Sequence, residues 1–412
     1  LTNSREWNNG TSDNAGYSPA PDGQHLLIFG QGDEVDFGYD GDVIAHEFGH
    51  AIVHDRTDLV HDALATYDRY GANIAPGGID EGMADYWACT IHDNPVQGEY
   101  ISDEPRDLDN GKTCPEDVVG ESHGDGRIVG GTVWEIREAL GSEAADALFY
   151  GALGLLSTTP SLEHYAHAIE DTAGAMADDG ELPAEQVDEV IDILVDRGMY
   201  RCGRAVELHN GVPTTFGVGH LEGYGMDDLS DAICESFRDD AIRFDSRFQW
   251  AVTLPNADEG EVFSLQLAFD IERQDGDDLE EDDLHYAIYA RQDEMVEFEV
   301  EEVETTYVAM PLPVPRPESY DEAFGGTLPG LIVTDESAEE LRLSPGATYY
   351  FSMVHMNCPA VYVTVTPHVI VFEEPGEPGD GCRCSVEDSR PWTGGAALLA
   401  LVTALGLARR RR

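Results

Sequence analysis

His46-Glu47-Phe48-Gly49-His50 is an HExxH stretch, and Gly78-Ile79-Asp80-Glu81-Gly82-Met83-Ala84-Asp85 follows it along the chain. These two stretches decide the reading of the fold. Histidines four apart lie on one face of an α-helix, so both imidazoles can reach one ion. Val43, Ile44, Phe48, Ala51 and Ile52 give 42–55 a broad apolar surface, which predicts a helix with Asp42 as its N-cap. Glu47 follows the first histidine directly. It projects beside a metal held by His46 and His50, where a carboxylate takes a proton from water.

A hydrolytic zinc ion wants a third protein ligand and one open position. Ile79, Met83, Tyr86, Trp87 and Ile91 predict a second helix over 79–92. On it, Glu81 supplies the third ligand. Asp85, one turn later on the same face, is placed to hold the other ring nitrogen of His46. His54 is four residues beyond His50, but three positions along one straight helix rarely converge on an ion, so it reads as structural. A metzincin site needs glycine at position 53 and histidine at position 56; Val53 and Arg56 exclude that branch.

With these residues the chain resembles the thermolysin-like gluzincin zinc metallopeptidases, in particular the fungalysin-like branch. HEFGHAIVH is similar to the family's active-site helix and GGIDEGMADYWA to its glutamate helix. The resemblance covers about residues 10–200. It implies a zinc-dependent endopeptidase in which His46, His50 and Glu81 bind the metal, Glu47 is the general base and Asp85 orients His46. Ser122-His123-Gly124-Asp125-Gly126 resembles the downstream histidine segment, which would make His123 the oxyanion stabiliser, with Glu121 or Asp125 orienting it. Asn14-Ala15-Gly16-Tyr17 with Leu26–Gly32 resembles the edge strand beside the cleft, making Asn14 and Ala15 substrate contacts. Arg106 matches the arginine that holds a substrate carbonyl. One departure stands out: the family carries a large β-rich lobe before HExxH, and here 45 residues precede His46. The chain reads as a fragment or processed form, or as one whose N-terminal lobe is drastically reduced. It shows no signal peptide.

Helical patterns continue at Ile128–Leu140, Ser142–Leu156, Ser161–Ala177 and Pro183–Met199. From about Ser246 the pattern changes to short β-rich runs: Phe248–Leu254, Val262–Ile271, His285–Ala290, Met295–Val300, Thr306–Met310, Thr348–His355 and Val361–Phe372. The fold class is therefore α+β: a gluzincin-type helical lobe with a short N-terminal β edge, an antiparallel β-sandwich and a C-terminal hydrophobic helix. The expected organisation is 1–41 as remnant β lobe, 42–205 as catalytic domain and 206–245 as connection. It continues with 246–372 as accessory sandwich, 373–391 as a linker with Cys382 and Cys384, and 392–412 as a transmembrane tail. Leu343–Tyr350 is mildly similar to the prepeptidase C-terminal β-domains of secreted proteases.

In that tail an apolar run from Trp392 to Ala408 precedes Arg409–Arg412. The run is near the lower limit for a membrane span, with its arginines on the cytoplasmic side. The arrangement resembles myxobacterial cysteine-containing C-terminal sorting signals. That resemblance implies a transient membrane anchor, a sorting protease as partner, and release to the cell surface. The seven cysteines fit an exported protein, and nearness in sequence pairs Cys89 with Cys114 and Cys202 with Cys234. With 23 basic and 82 acidic residues, net −59, the surface repels nucleic acid and suits a salt-adapted secreted protein. Asp275–Asp283 offers oxygens to calcium but lacks EF-hand spacing, so a solvated acidic loop is the preferred reading. Two functions compete: a zinc endopeptidase acting on proteins or peptides, and a non-catalytic surface adhesion module on a truncated peptidase fold. Intact ligands and base favour the first.

Overall fold

The computed structural model describes residues 2–4, 14–19, 25–32, 35–59, 66–102, 105–119, 122–218, 244–245, 248–256, 261–273, 286–303, 306–311, 330–334, 343–355 and 361–373. Helices and sheets coexist, as an α+β chain requires. The elements in order are β1 (Thr2–Ser4), β2 (Ala15–Pro19), β3 (His25–Gly30), α1 (Gly41–Arg56), β4 (Thr66–Asp68), β5 (Gly71–Asn73) and α2 (Ala75–His92). Then come β6 (Val96–Gln97), β7 (Arg106–Asp107), α3 (Ser122–Leu140), α4 (Ser142–Leu153), α5 (Leu162–Asp178) and α6 (Ala184–Asp196). The β-rich part comprises β8 (Ala205–Glu207), β9 (Thr214–Val218), β10 (Phe244–Asp245), β11 (Gln249–Thr253), β12 (Glu261–Arg273) and β13 (Tyr286–Gln292). It ends with β14 (Phe298–Val303), β15 (Thr306–Pro311), β16 (Gly330–Thr334), β17 (Thr348–His355) and β18 (Val361–Glu373).

Helix α1 starts one turn-half earlier than its sequence suggests. Asp40, not Asp42, is the N-cap: its side chain accepts from the N–H groups of Asp42 and Val43. Helix α2 begins at Ala75 rather than Ile79 and is buried from Ala75 through Cys89. A helix buried on all sides shows little amphipathic period, which hides its first turn from a pattern reading. It lies between α1 and α3. A Cβ on Gly49 of α1 would stand 2.7 Å from the Ala84 Cα, and one on Gly82 would stand 2.5 Å from the Gly126 carbonyl of α3. These glycines allow backbone-to-backbone approach. Helix α3 begins at Ser122, six residues before Ile128, so that Gly124 and Gly126 sit inside the helix, and Gly126 lies where a Cβ would stand 3.0 Å from the Glu81 Cβ.

The β-rich part forms a five-stranded sheet, β10-β17-β11-β8 with β13 also on β17, and a four-stranded sheet, β16-β12-β18-β9. Trp250 of β11 is fully buried and lies 5.8 Å from Phe216 of β9 and 5.7 Å from Phe269 of β12, so aromatic rings join the two sheets. Most pairings are antiparallel, but β8 pairs with β11 in parallel. Strands β8 and β9, from the stretch expected to be a connection, join these sheets, whereas β14 and β15 form their own two-stranded sheet. Buried residues from Val53 to Val365 form one continuous core across the helices and both sheets.

The cysteine pairing differs from the sequence expectation. Cys114 bonds Cys202, and Cys89 is a free, buried thiol on α2. The Cys114 N–H donates to the Arg197 carbonyl, which brings 114 beside the turn after α6. Nearness in sequence does not report that contact. Cys234, Cys358, Cys382, Cys384, the acidic run 275–283 and the tail 392–412 lie outside the described residues. Among the described residues no helix is long and apolar enough to cross a membrane.

Candidate metal centre

Helix α1 presents His46 and His50 one turn apart, and α2 crosses it with Glu81 facing both. His46 Nε2 stands 3.1 Å from His50 Nε2, 3.4 Å from Glu81 Oε2, and His50 Nε2 is 3.8 Å from the same oxygen. Ligand atoms about 2.0–2.1 Å from a tetrahedral ion stand about 3.3–3.4 Å from each other. The three atoms therefore outline one face of a site of that size, and these residues form a group able to hold a metal ion. All three residues are buried.

Behind each histidine stands a carboxylate. Asp85 Oδ1 lies 2.7 Å from His46 Nδ1, where the sequence placed it. Asp80 Oδ2 lies 3.0 Å from His50 Nδ1. Sequence reasoning missed Asp80, because one more carboxylate in so acidic a chain is no signal. Burial and the Arg106 charge oppose protonation of His46, but contacts to Asp85 and Glu81 win and raise its pKa to about 9. Burial likewise opposes protonation of His50, and Asp80 and Glu81 raise it to about 9. Burial pushes the Glu81 carboxyl up, yet the charges of His123, His50 and His46 hold it well below the usual carboxylate range. The carboxylates around the two imidazoles thus favour positive charge at the centre.

Glu47 is 5 % exposed. Burial raises its carboxyl above the ordinary range, against the pull of His46 and His50. A carboxyl raised in this way is suited to taking up and returning a proton. His123 occupies the first turn of α3, and its Nε2 is 3.3 Å from Glu81 Oε2, so the structure brings it to the centre. Asp125 is buried and accepts from the Val119 N–H at 2.8 Å; Glu121 lies outside the described residues. Arg106 on β7 places Nη1 3.1 Å from Asp85 Oδ1, with a third of its side chain (32 %) exposed. It holds the carboxylate that holds His46 and still reaches solvent.

Among the described residues, strand β2 is an edge of the sheet ordered β1-β3-β2, and it packs against α1. Gly30 N–H donates to the Asn14 carbonyl at 2.8 Å, and the Asn14 side chain accepts from Ala15 N–H at 2.9 Å. Antiparallel alternation then turns the Ala15 and Tyr17 backbones toward the open edge. The sequence pattern does not single out Tyr17. Its ring stacks on His50 at 6.3 Å between centroids, and its hydroxyl is 2.6 Å from His25 Nδ1. Burial and the charges of Asp80 and Asp55 push its phenol up to about 12. His54 sits 5.9 Å from the Tyr17 ring and 5.9 Å from His25 between centroids, in keeping with a structural role.

No protein-family profile matches this chain, and no curated protein matches it.

Proposed function

We propose that this chain is a secreted or surface-displayed zinc endopeptidase of the gluzincin kind. The observation that carries the reading is the triangle of His46, His50 and Glu81 atoms, 3.1–3.8 Å on a side, with the buried Glu47 carboxylate beside it. Zinc bound there would polarise the scissile carbonyl and acidify the attacking water. Glu47 takes the proton from that water and delivers it to the leaving amine. The His123 imidazole donates to the oxyanion that develops on the carbonyl oxygen, an interaction worth about 2.7–4 kcal/mol in comparable sites. Asp85 and Asp80, each on the Nδ1 of one histidine, would leave both Nε2 atoms free to hold a metal. An extended peptide would lie along β2, with the Asn14 side chain and the outward-facing Ala15 backbone as its contacts, and Arg106 would approach a substrate carbonyl.

Export is supported by the Cys114–Cys202 disulfide and by the tail resemblance. Casein hydrolysis tests the reading: activity should vanish with chelator, return with zinc and rise across a salt series. A metal-loaded protein inactive under every condition would favour the adhesion module.

A further inference from the structure

We infer that the β-sheet region acts on the metal centre: Arg204 and Gln249 are positioning residues that set where α2 stands along its axis, and so where Glu81 presents its carboxylate. The inference rests on the metal-centre reading above.

Glycines bring α2 close to the helices on either side. Gly49 of α1 meets Ala84, and Gly82 meets Gly126 and Val129 of α3. Interdigitated ridges index one helix against its neighbour. Packed helices can still slide against each other by small amounts, a common protein motion. Contacts at both ends of α2 add to the mid-helix pairs Asp80–His50 and Asp85–His46 in fixing its axial position. At the C-terminal end, Tyr86 Oη donates to Asp146 at 2.5 Å and Arg137 Nε donates to Thr90 at 3.1 Å.

The N-terminal end is defended by the β-rich part. Hairpin β4–β5 runs into α2 through Asn73, which is 2 % exposed. Asn73 Oδ1 accepts from Ala75 N–H at 3.3 Å, while its Nδ2 donates to the Pro160 carbonyl at 3.3 Å. Arg204, just before β8, grips the same hairpin: Nη2 is 3.0 Å from Asp68 Oδ1 and 3.1 Å from the Gly71 carbonyl. Gln249, at the start of β11 and 1 % exposed, donates from Nε2 to the Tyr70 carbonyl at 3.3 Å and the Val296 carbonyl at 2.6 Å. Its Oε1 accepts from Val296 N–H at 2.7 Å. The two grips are joined, because Gln249 N–H donates to the Arg204 carbonyl at 3.0 Å. Trp250, the next residue, is the ring that ties the two sheets.

Along α2, Ala75 to Glu81 is about 9 Å of rise. A helix is stiff over that length, so a shift of its first turn arrives at Glu81 nearly undiminished. Metal–ligand distances hold to about 0.2 Å. A slip small enough to leave the fold intact therefore spoils the ligand triangle. Arg204 and Asp68 are 10 % and 20 % exposed in their side chains, so losing one partner leaves a largely desolvated charge in the hairpin.

The test uses the full chain with cobalt(II) in place of the native ion, because its visible bands report ligand geometry. Wild type, Arg204→Met and Arg204→Lys are compared at a temperature where circular dichroism shows all three folded. Arg204→Met should bind cobalt about tenfold more weakly, the loss typical of a disturbed partner behind a ligand, with altered visible bands. Arg204→Lys, which keeps the charge beside Asp68, should recover most of both. A folded Arg204→Met with wild-type affinity and bands overturns the proposal, even if its melting temperature falls. Should Arg204→Met not fold, Asp68→Asn decides, since it keeps shape and removes the charge: weaker cobalt binding supports the proposal and unchanged binding overturns it. Wild type that binds no cobalt would instead strike at the metal-centre reading.

Discussion

His46 and His50 leave the same helix one turn apart, yet they are held in different ways. Behind His46 stands Asp85, itself fully buried and met by Arg106 at 3.1 Å. Behind His50 stands Asp80 at 3.0 Å, with the Tyr17 ring from the edge strand stacked against the imidazole. The His46 side is a closed chain of charges, cation–carboxylate–imidazole. The His50 side couples the centre to β2, the strand proposed to carry substrate. One ligand is thus tied to the protein's interior and the other to its cleft.

The largest effect should come from breaking the His46 side. Asp85→Ala leaves Arg106 facing a hole and His46 without its orienting oxygen. Metal affinity should fall about 10–100-fold, and isothermal titration together with thermal melting should show a loss of stability as well. Asp80→Ala should cost metal affinity less, about tenfold, with a smaller fall in melting temperature. Equal losses in the two variants would dissolve the distinction drawn between the two sides. Tyr17→Leu should be milder still for the metal and should act mainly on substrate: KM rising a few-fold with kcat kept, measured with an internally quenched peptide.

Acidity sharpens the same comparison. Without metal both imidazoles have pKa values raised to about 9, above the 6.5 of an unfolded chain. A raised pKa stabilises the folded form fully below pH 6.5, and that contribution fades as pH climbs through 9. The metal-free protein should therefore lose melting temperature between about pH 6.5 and 9, while its metal affinity rises over the same interval because protons no longer compete. Asp80→Asn should remove the part owed to His50 and leave the part owed to His46. A metal-free melting temperature that is flat across this interval would contradict the assignment of both carboxylates.

The parts of this site that the sequence displays are those fixed by helical spacing. His46, His50, Glu47, Glu81 and Asp85 are legible because three- and four-residue intervals translate directly into faces. Asp80 and Tyr17 are not legible: their roles arise from how α2 crosses α1 and how β2 lies on α1, which no local pattern encodes. The start of α3 was hidden for a related reason. Gly124 and Gly126 look like turn residues, yet Gly126 is needed where its Cβ would meet Glu81 Cβ at 3.0 Å. The β-rich stretch shows the opposite balance. Strand Thr348–His355 stands where alternation placed it. Short β8 and its parallel pairing with β11 carry too few residues to announce themselves, and Cys114–Cys202 joins positions 88 apart.

The most direct measurement is metal content and peptidase rate on one variant, Glu47→Gln. The account predicts a folded protein holding one zinc per chain, with casein hydrolysis reduced at least about 10²–10⁴-fold, the reach of a general base. A Glu47→Gln protein that binds zinc and cleaves casein at the wild-type rate would contradict it.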